Sequence, residues 1–337
     1  MKLLALLLLA VPAAAAEKNV TIVFTGDNTG EVAPCGCSGN PSGGLPRRKT
    51  ALAAMANENV LLLDSGNALY RNTGAPDSTR AALVFDLMAR LGTRAMAVGP
   101  RDLATGVEEL LKLSSGSPMK VLSANLKLDG KRVFDGGAVF LVGGVKVGVI
   151  ALTAPGKYGN AEVTDLKTAA KEALAALGAR DVTVLLAAIP YEDSLTLARE
   201  LPQVDVMIQS SNERGMTSPQ VVDEKPPFIF SSAQRGQALG KLELHVGGKR
   251  PFIDLASVDA LREKVKTVDG YIAFLRGNTR DVAELKQRKK GYENEIARAT
   301  NPGVNSFRFS WLTLGTTFAD DPEWKSEVLK VEPSYTH

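Results

Sequence analysis

Histidine is almost missing from this chain: His245 and His337 are the only two among 337 residues. Hydrolytic zinc, iron and manganese centres lean on imidazole, and a dinuclear one needs several ligands around ions about 3.5–4 Å apart. A histidine-rich metal mechanism is excluded by that count. Cysteine is equally scarce. Cys35 and Cys37 are the only thiols, so no disulfide scaffold exists, and no Cys-x-x-Cys-His is present to attach haem. No apolar run after the first sixteen residues approaches the roughly 18 residues of a membrane span. No block of like charge appears either. With 40 basic against 37 acidic side chains, the net charge of +3 argues against nucleic acid as a partner. The phosphate loop, the dinucleotide glycine fingerprint and the Gly-x-Ser-x-Gly elbow are also absent.

What is present begins with residues 1–16, which read as an export signal: Lys2, an apolar run from Leu3 to Val11, then Ala13 to Ala16 as the expected small-residue cleavage site. No Cys stands there for a lipid anchor. A periplasmic or secreted protein of net charge +2 is expected after cleavage. From Val20 onward, short apolar runs alternate with helical segments, which predicts an α/β fold. Strands are expected at Val20 to Phe24, Val60 to Leu63, Arg94 to Val98, Val121 to Ala124, Val145 to Leu152, Val182 to Ala187, Val204 to Ile208, Phe228 to Phe230 and Lys241 to Val246. The clearest helices are Ser78 to Leu91 and Lys167 to Leu177. Val60 to Leu63 and Val182 to Leu186 are apolar without alternation, as strands buried on both faces are. Polar, turn-rich loops follow these strands, and open α/β sheets bind ligands at such strand ends.

After about residue 255, Val258, Leu261, Val265, Val268, Ile272 and Leu275 form a narrow helical seam, and Gly277-Asn278 interrupts it. Thr279 and Asp281 can start a second helix running to Ala299. The expected domains are a body over 17–255, a helical hairpin over 256–300, and a strand and tail over 301–337, the strand at a sheet edge. The hairpin either packs on its own domain or offers a protein partner the surface 258–298.

The order of the loops carries a family likeness. Thr25-Gly26-Asp27-Asn28-Thr29-Gly30, Gly43-Gly44-Leu45-Pro46-Arg47-Arg48, Leu62-Leu63-Asp64-Ser65-Gly66-Asn67, Val98-Gly99-Pro100-Arg101-Asp102 and Ser123-Ala124-Asn125-Leu126 follow one another. Val147 to Thr153, Tyr191-Glu192-Asp193, Val204 to Ile208 and Gly236 to Gly240 complete the series. Over residues 20–246 the chain resembles the 5′-nucleotidase branch of the calcineurin-like metallophosphoesterases. That resemblance implies a four-layer α/β/β/α sandwich with two metals at the strand ends. It also implies metal ligands that this chain lacks. The Asp-x-His motif keeps Asp27 but has Thr29 for histidine, and Asn67 replaces a bridging aspartate. Gly-Asn-His-Glu/Asp has become Gly99-Pro100-Arg101-Asp102, the Ser-His pair is Ala187-Ala188, and Gly-His-x-His is Ser210-Ser211-Asn212-Glu213.

The expected pocket is therefore vestigial, rimmed by Asp27, Asp64, Asn67, Arg101, Asp102, Asn125 and Glu213, with no metal or other cofactor. Arg101 cannot coordinate a metal, yet its permanent charge can hold a small anion. Arg47 and Arg48, after Gly43-Gly44, are further anion-binding candidates, the alternative being that the glycines serve only the turn. Cys35 and Cys37 are either a loop staple or a redox or soft-metal pair. His245 is expected on a solvated strand face. The leading expectation is an exported pseudoenzyme kept as a binding or assembly module. The alternatives are a phosphoric-ester or nucleotide hydrolase with an atypical divalent-metal site, and a redox or metal-handling protein built on the cysteines.

Overall fold

A computed structural model describes residues 18–35, 41–56, 59–211, 218–223, 225–275, 279–301 and 303–335. The proposed leader, Cys37, Glu213 and His337 lie outside these residues. Eight α-helices occur among them, in chain order α1 (Leu45–Ala53), α2 (Ser78–Arg90), α3 (Val107–Ser114), α4 (Leu166–Ala176), α5 (Tyr191–Glu200), α6 (Leu255–Phe274), α7 (Thr279–Ala299) and α8 (Pro322–Leu329). None is long and apolar enough to cross a membrane.

The frame is two stacked sheets. The seven-stranded sheet runs in the order Lys249–Asp254, Val304–Thr313, Ala238–Val246, Lys18–Thr25, Val60–Asp64, Ala95–Ala97, Lys120–Leu122. The six-stranded sheet runs Gln220–Val222, Lys225–Ser231, Val206–Gln209, Val182–Ala188, Val145–Thr153, Gly137–Val142. Strand alternation sorts side chains between an inner and an outer core. Ile22, Phe24, Leu61 and Leu63 meet Val147, Val149, Val184 and Leu186 between the sheets. Their neighbours point outward. Val23 and Leu62 lie under α1, Met96 and Val121 under α2 and α3, and Leu185, Ala187 and Met207 under α4 and α5. Both faces of each central strand are thus covered, which is why the strands read as unbroken apolar runs. The result is the four-layer α/β/β/α sandwich.

An aromatic cluster clamps the sheets together beneath one end. Phe24 meets Phe230 edge-on, with ring centroids 6.1 Å apart, and Phe309 packs on both rings. Such pairs contribute about 0.5–1.5 kcal/mol each beyond area burial. Two residues past Phe24 and Phe230 the chain enters Gly26 and Ser232, so the clamp fixes the roots of two site loops. Gly240 is required there, because a Cβ would run into the Phe24 ring.

Two expectations at the C-terminus need correction. Val304–Thr313 is no edge strand. It lies between Ala238–Val246 and the parallel strand Lys249–Asp254, which takes the edge instead. The tail also contains more than a strand, since α8 folds back on the body. Asp321 caps it by accepting from the Trp324 amide, and Pro322 occupies its first turn. Trp324 is buried there, with Lys49 and Arg90 each 5.0 Å from its ring centroid. His245 is half-buried rather than merely solvated, and its Nδ1 lies 2.9 Å from the Asn19 Oδ1.

Candidate functional site

The loops after strands Lys18–Thr25, Val60–Asp64, Ala95–Ala97, Val206–Gln209 and Lys225–Ser231 converge at the clamped end. They enclose a cavity of about 720 Å³ lined by Asp27, Thr29, Asn67, Asn72, Pro100, Arg101, Ala104, Ser211, Gln234 and Arg235. Asp27, Thr29, Asn67, Ser211 and Arg235 all have positive φ, five of the seven non-glycine residues so placed among the described ones. This conformation is strained for side-chain-bearing residues and persists where the surroundings enforce it.

Asp27 is what they surround. Its Oδ1 accepts from the Ser211 amide (3.0 Å) and from Asn67 Nδ2 (3.1 Å). Its Oδ2 accepts from the same Ser211 amide (2.9 Å) and from the Ser232 hydroxyl (3.0 Å). Asn67 is equally committed. Its Nδ2 also donates to Ser211 Oγ at 2.6 Å, and its Oδ1 accepts from the Arg101 amide at 3.2 Å. Burial pushes the Asp27 carboxyl above its usual range, while the Asn67, Ser211 and Ser232 hydrogen bonds and the Arg101 charge oppose that rise.

Two further predicted acids sit behind the cavity wall. Asp102 is buried at the first turn after Gly99. Its Oδ1 accepts from the Ala68 and Leu69 amides and its Oδ2 from those of Asn67 and Gly99, all at 2.8–3.0 Å. It holds the Asn67 loop against the Arg101 loop. Burial raises its pKa to about 7 against those hydrogen bonds, and the nearby Asp64 adds to the rise. Asp64 accepts from Thr25 Oγ1 (2.5 Å) and the Gly66 amide (2.8 Å), and burial raises it too.

Three predicted residues do not serve the cavity. Asn125 is fully buried, its amide paired with the backbone of Thr153 in both directions at 2.7 and 2.8 Å. It ties two strand ends together and does not rim the pocket. Arg47 is buried on Asp320 Oδ1 (3.1 Å) and the Pro41 carbonyl (2.7 Å). Arg48 is buried with its Nη2 on Asn28 Oδ1 at 2.7 Å, and burial lowers its pKa to about 10. Both arginines are structural cations turned inward and are not poised for a ligand. Cys35 is half-buried and accepts from Gln237 Nε2 at 3.4 Å, with burial raising its thiol.

Arg101 differs. Its Nη1 donates to the Arg71 carbonyl at 3.2 Å, and no carboxylate among the described residues pairs with it. Ser211, Ser232, Gln234 and Arg235 were missed in the sequence. Ser231-Ser232 directly after an apolar strand was a readable signal, the same as that of the other site loops.

The comparisons agree with this fold. No family model matches the chain. A 5′-nucleotidase of Vibrio vulnificus is 30% identical over 340 residues, 82% of this chain and 61% of that protein. The crystal structure of a 5′-nucleotidase precursor from Thermus thermophilus superposes with a TM-score of 0.68 at 22% identity, covering 94% of this chain and 59% of that one. A calcineurin-like phosphoesterase from Bacillus subtilis, YfkN, gives 0.62 at 14% identity over 94% of this chain and 97% of its own. This chain belongs to the 5′-nucleotidase branch of the calcineurin-like metallophosphoesterases. It spans between 29% and 61% of the length of its Vibrio relatives.

Membership implies divalent metals, and the residues present do not fit two of them. Asp27 is the one carboxylate lining the cavity among the described residues, and both its oxygens are engaged. Asn67 presents its amide hydrogens to Asp27, where a bridging aspartate would present an oxygen. Ser211 stands in the Gly-His-x-His motif with its amide on Asp27. Ala188 packs against Gly66, whose own Cβ would lie 3.1 Å from it. No group of three His, Cys, Asp or Glu able to hold a metal is gathered among the described residues.

Proposed function

We propose that this chain is an exported, non-catalytic phosphoesterase-fold protein that holds a small oxyanion in its cavity without a metal. The observation that carries this reading is the closed Asn67–Asp27–Ser211 network beside the Arg101 side chain, which forms no direct ion pair with a described carboxylate. A guanidinium cannot generate hydroxide, but its planar fork matches phosphate, sulfate or carboxylate in pairs of hydrogen bonds. Asn72 also lines the cavity and can add a donor, whereas Arg235 is held by Glu31 Oε1 at 2.9 Å. Export rests on the apolar leader, and an assembly role is compatible with the same site.

Calorimetric titration of phosphate, sulfate and AMP in excess chelator tests the proposal. Binding should persist with EDTA and weaken at least about tenfold in Arg101→Ala, in line with the loss of a charge-assisted hydrogen bond. Turnover of AMP or a generic phosphate ester that needs added metal and vanishes in Asp27→Ala would refute it.

A further inference from the structure

Three arginines meet around the cavity. Arg101 and Arg235 line it, and the Arg71 carbonyl accepts from Arg101 Nη1 at 3.2 Å. Two of the three are answered by carboxylates. Glu31 takes Arg235 side-on, its Oε1 accepting from Nη2 at 2.9 Å and from Nε at 3.3 Å. Arg71 Nη2 donates to Glu31 Oε2 at 3.5 Å and to Glu332 Oε2, beyond α8, at 2.6 Å. Glu332 thus holds Arg71 independently, and Arg235 depends on Glu31.

Backbone contacts fix both members of the Glu31–Arg235 pair. The Thr29 and Gly30 amides donate to the Asn67 and Ala68 carbonyls at 2.9 and 2.8 Å, which zips the Asp27 loop to the Asn67 loop. Gly30 has a positive φ, and a Cβ there would lie 3.0 Å from the Leu69 carbonyl oxygen and 3.1 Å from the Arg71 nitrogen. The Glu31 amide then closes a turn on the Asn28 carbonyl at 3.0 Å. From the opposite side, the Arg235 amide donates to the Asp27 carbonyl at 2.7 Å. The Glu31 side chain is only 12% exposed, so water and salt screen its charge less than they screen a surface pair.

Volume does not limit the ligand. About 720 Å³ is more than one tetrahedral oxyanion fills, and a second phosphoryl group has room. Charge decides instead. A second group would have to take Arg235 from a carboxylate already in side-on contact, exchanging one charge-assisted pair for another. It would also meet the Glu31 charge itself, and such a repulsive element is how a site rejects a competing ligand.

We propose that Glu31 is a specificity-determining residue: by withholding Arg235, it restricts the cavity to anions with a single phosphate, sulfate or carboxylate group. This rests on the oxyanion site proposed above and defines its ligand class.

Calorimetric titration of the full chain with inorganic phosphate and with pyrophosphate, in excess chelator, tests it through the ratio of the two dissociation constants. The parent should bind pyrophosphate within about threefold of phosphate. Glu31→Gln keeps the shape and removes the charge, and should shift the ratio at least about tenfold towards pyrophosphate, the worth of one charge-assisted hydrogen bond. Glu31→Gln/Arg235→Gln should restore the parent ratio, because the gain needs the freed guanidinium. Arg235 is half exposed, so the single variant strands no buried charge. A damaged loop lowers both affinities together and does not favour pyrophosphate. A parent that prefers pyrophosphate tenfold overturns the proposal without any variant. So does a Glu31→Gln ratio equal to the parent's with phosphate still bound, or a gain that survives in the double variant. Absence of phosphate binding in the parent overturns the oxyanion site itself, and the proposal with it.

Discussion

Asn67 Nδ2 lies 3.1 Å from Asp27 Oδ1 and donates a hydrogen bond to it. One amide thereby does the work of a cation between two loops: it gives the Asp27 carboxylate a positive partner without any ion. The bond is reinforced from both ends, since Ser211 takes the second amide hydrogen and the Arg101 backbone fixes the amide oxygen.

Replacing that amide by a carboxylate makes two acids face each other at contact distance. Asn67→Asp is expected to destabilise the fold by about 1–3 kcal/mol at pH 8, through a lost donor and like-charge repulsion. The deficit should shrink at pH 5, where one carboxyl takes a proton, and shrink also with added Mn²⁺. Thermal unfolding at the two pH values, with and without the ion, reads this directly. A variant as stable as the parent at pH 8 would contradict it.

The buried acids set a pH dependence with a definite sign. Asp27, Asp64 and Asp102 are all raised, Asp102 to about 7, chiefly by burial. A folded-state pKa above the unfolded one means the native state binds the proton more tightly. The stability it contributes is complete below the unfolded value near 4 and is lost as pH rises towards 7. Surface acids held low by partners, such as Asp259 and Glu327, act in the opposite sense only as the medium becomes more acid than their ordinary range. Urea midpoints should therefore fall from pH 5 to pH 8. The slope approaches about 1.4 kcal/mol per pH unit where one such acid titrates alone, and Asp102→Asn should flatten it. A midpoint that rises over this range would contradict the assignment.

The C-terminal clasp gives a prediction independent of the site. Trp324 is buried between α8 and the body, flanked by Lys49 and Arg90, and Asp320 nearby answers the buried Arg47. Trp324→Ala should cost about 3–5 kcal/mol in equilibrium unfolding. A loss under 1 kcal/mol would mean that α8 is only loosely seated.

Much of this was legible in the sequence because burial on two faces leaves a plain mark. Val182 to Leu186 and Val60 to Leu63 read as central strands and are. Ser78 to Leu91 reads as a helix and forms one over Ser78–Arg90, capped by Asp77. The position of the pocket followed from polar loops at strand ends. Side-chain direction did not follow. Asn125, Arg47 and Arg48 occur in the right motifs, yet partners distant in the chain or hidden in the backbone (Thr153, Asp320, Asn28) turn them away from the cavity. Pattern also could not show that Lys249–Asp254 would add outside Val304–Thr313, since a parallel pairing across fifty residues leaves no local trace. The α8 start at Asp321-Pro322 was available in the sequence, and its shortness hid it.

The most direct test of the proposed loss of the metal centre is elemental analysis of the protein purified from metal-replete cells without chelator. An Asp27 site closed by Asn67 predicts manganese, iron and zinc at background in both the parent chain and Asp27→Ala. One or two equivalents of any of them in the parent, lost in Asp27→Ala, would contradict it.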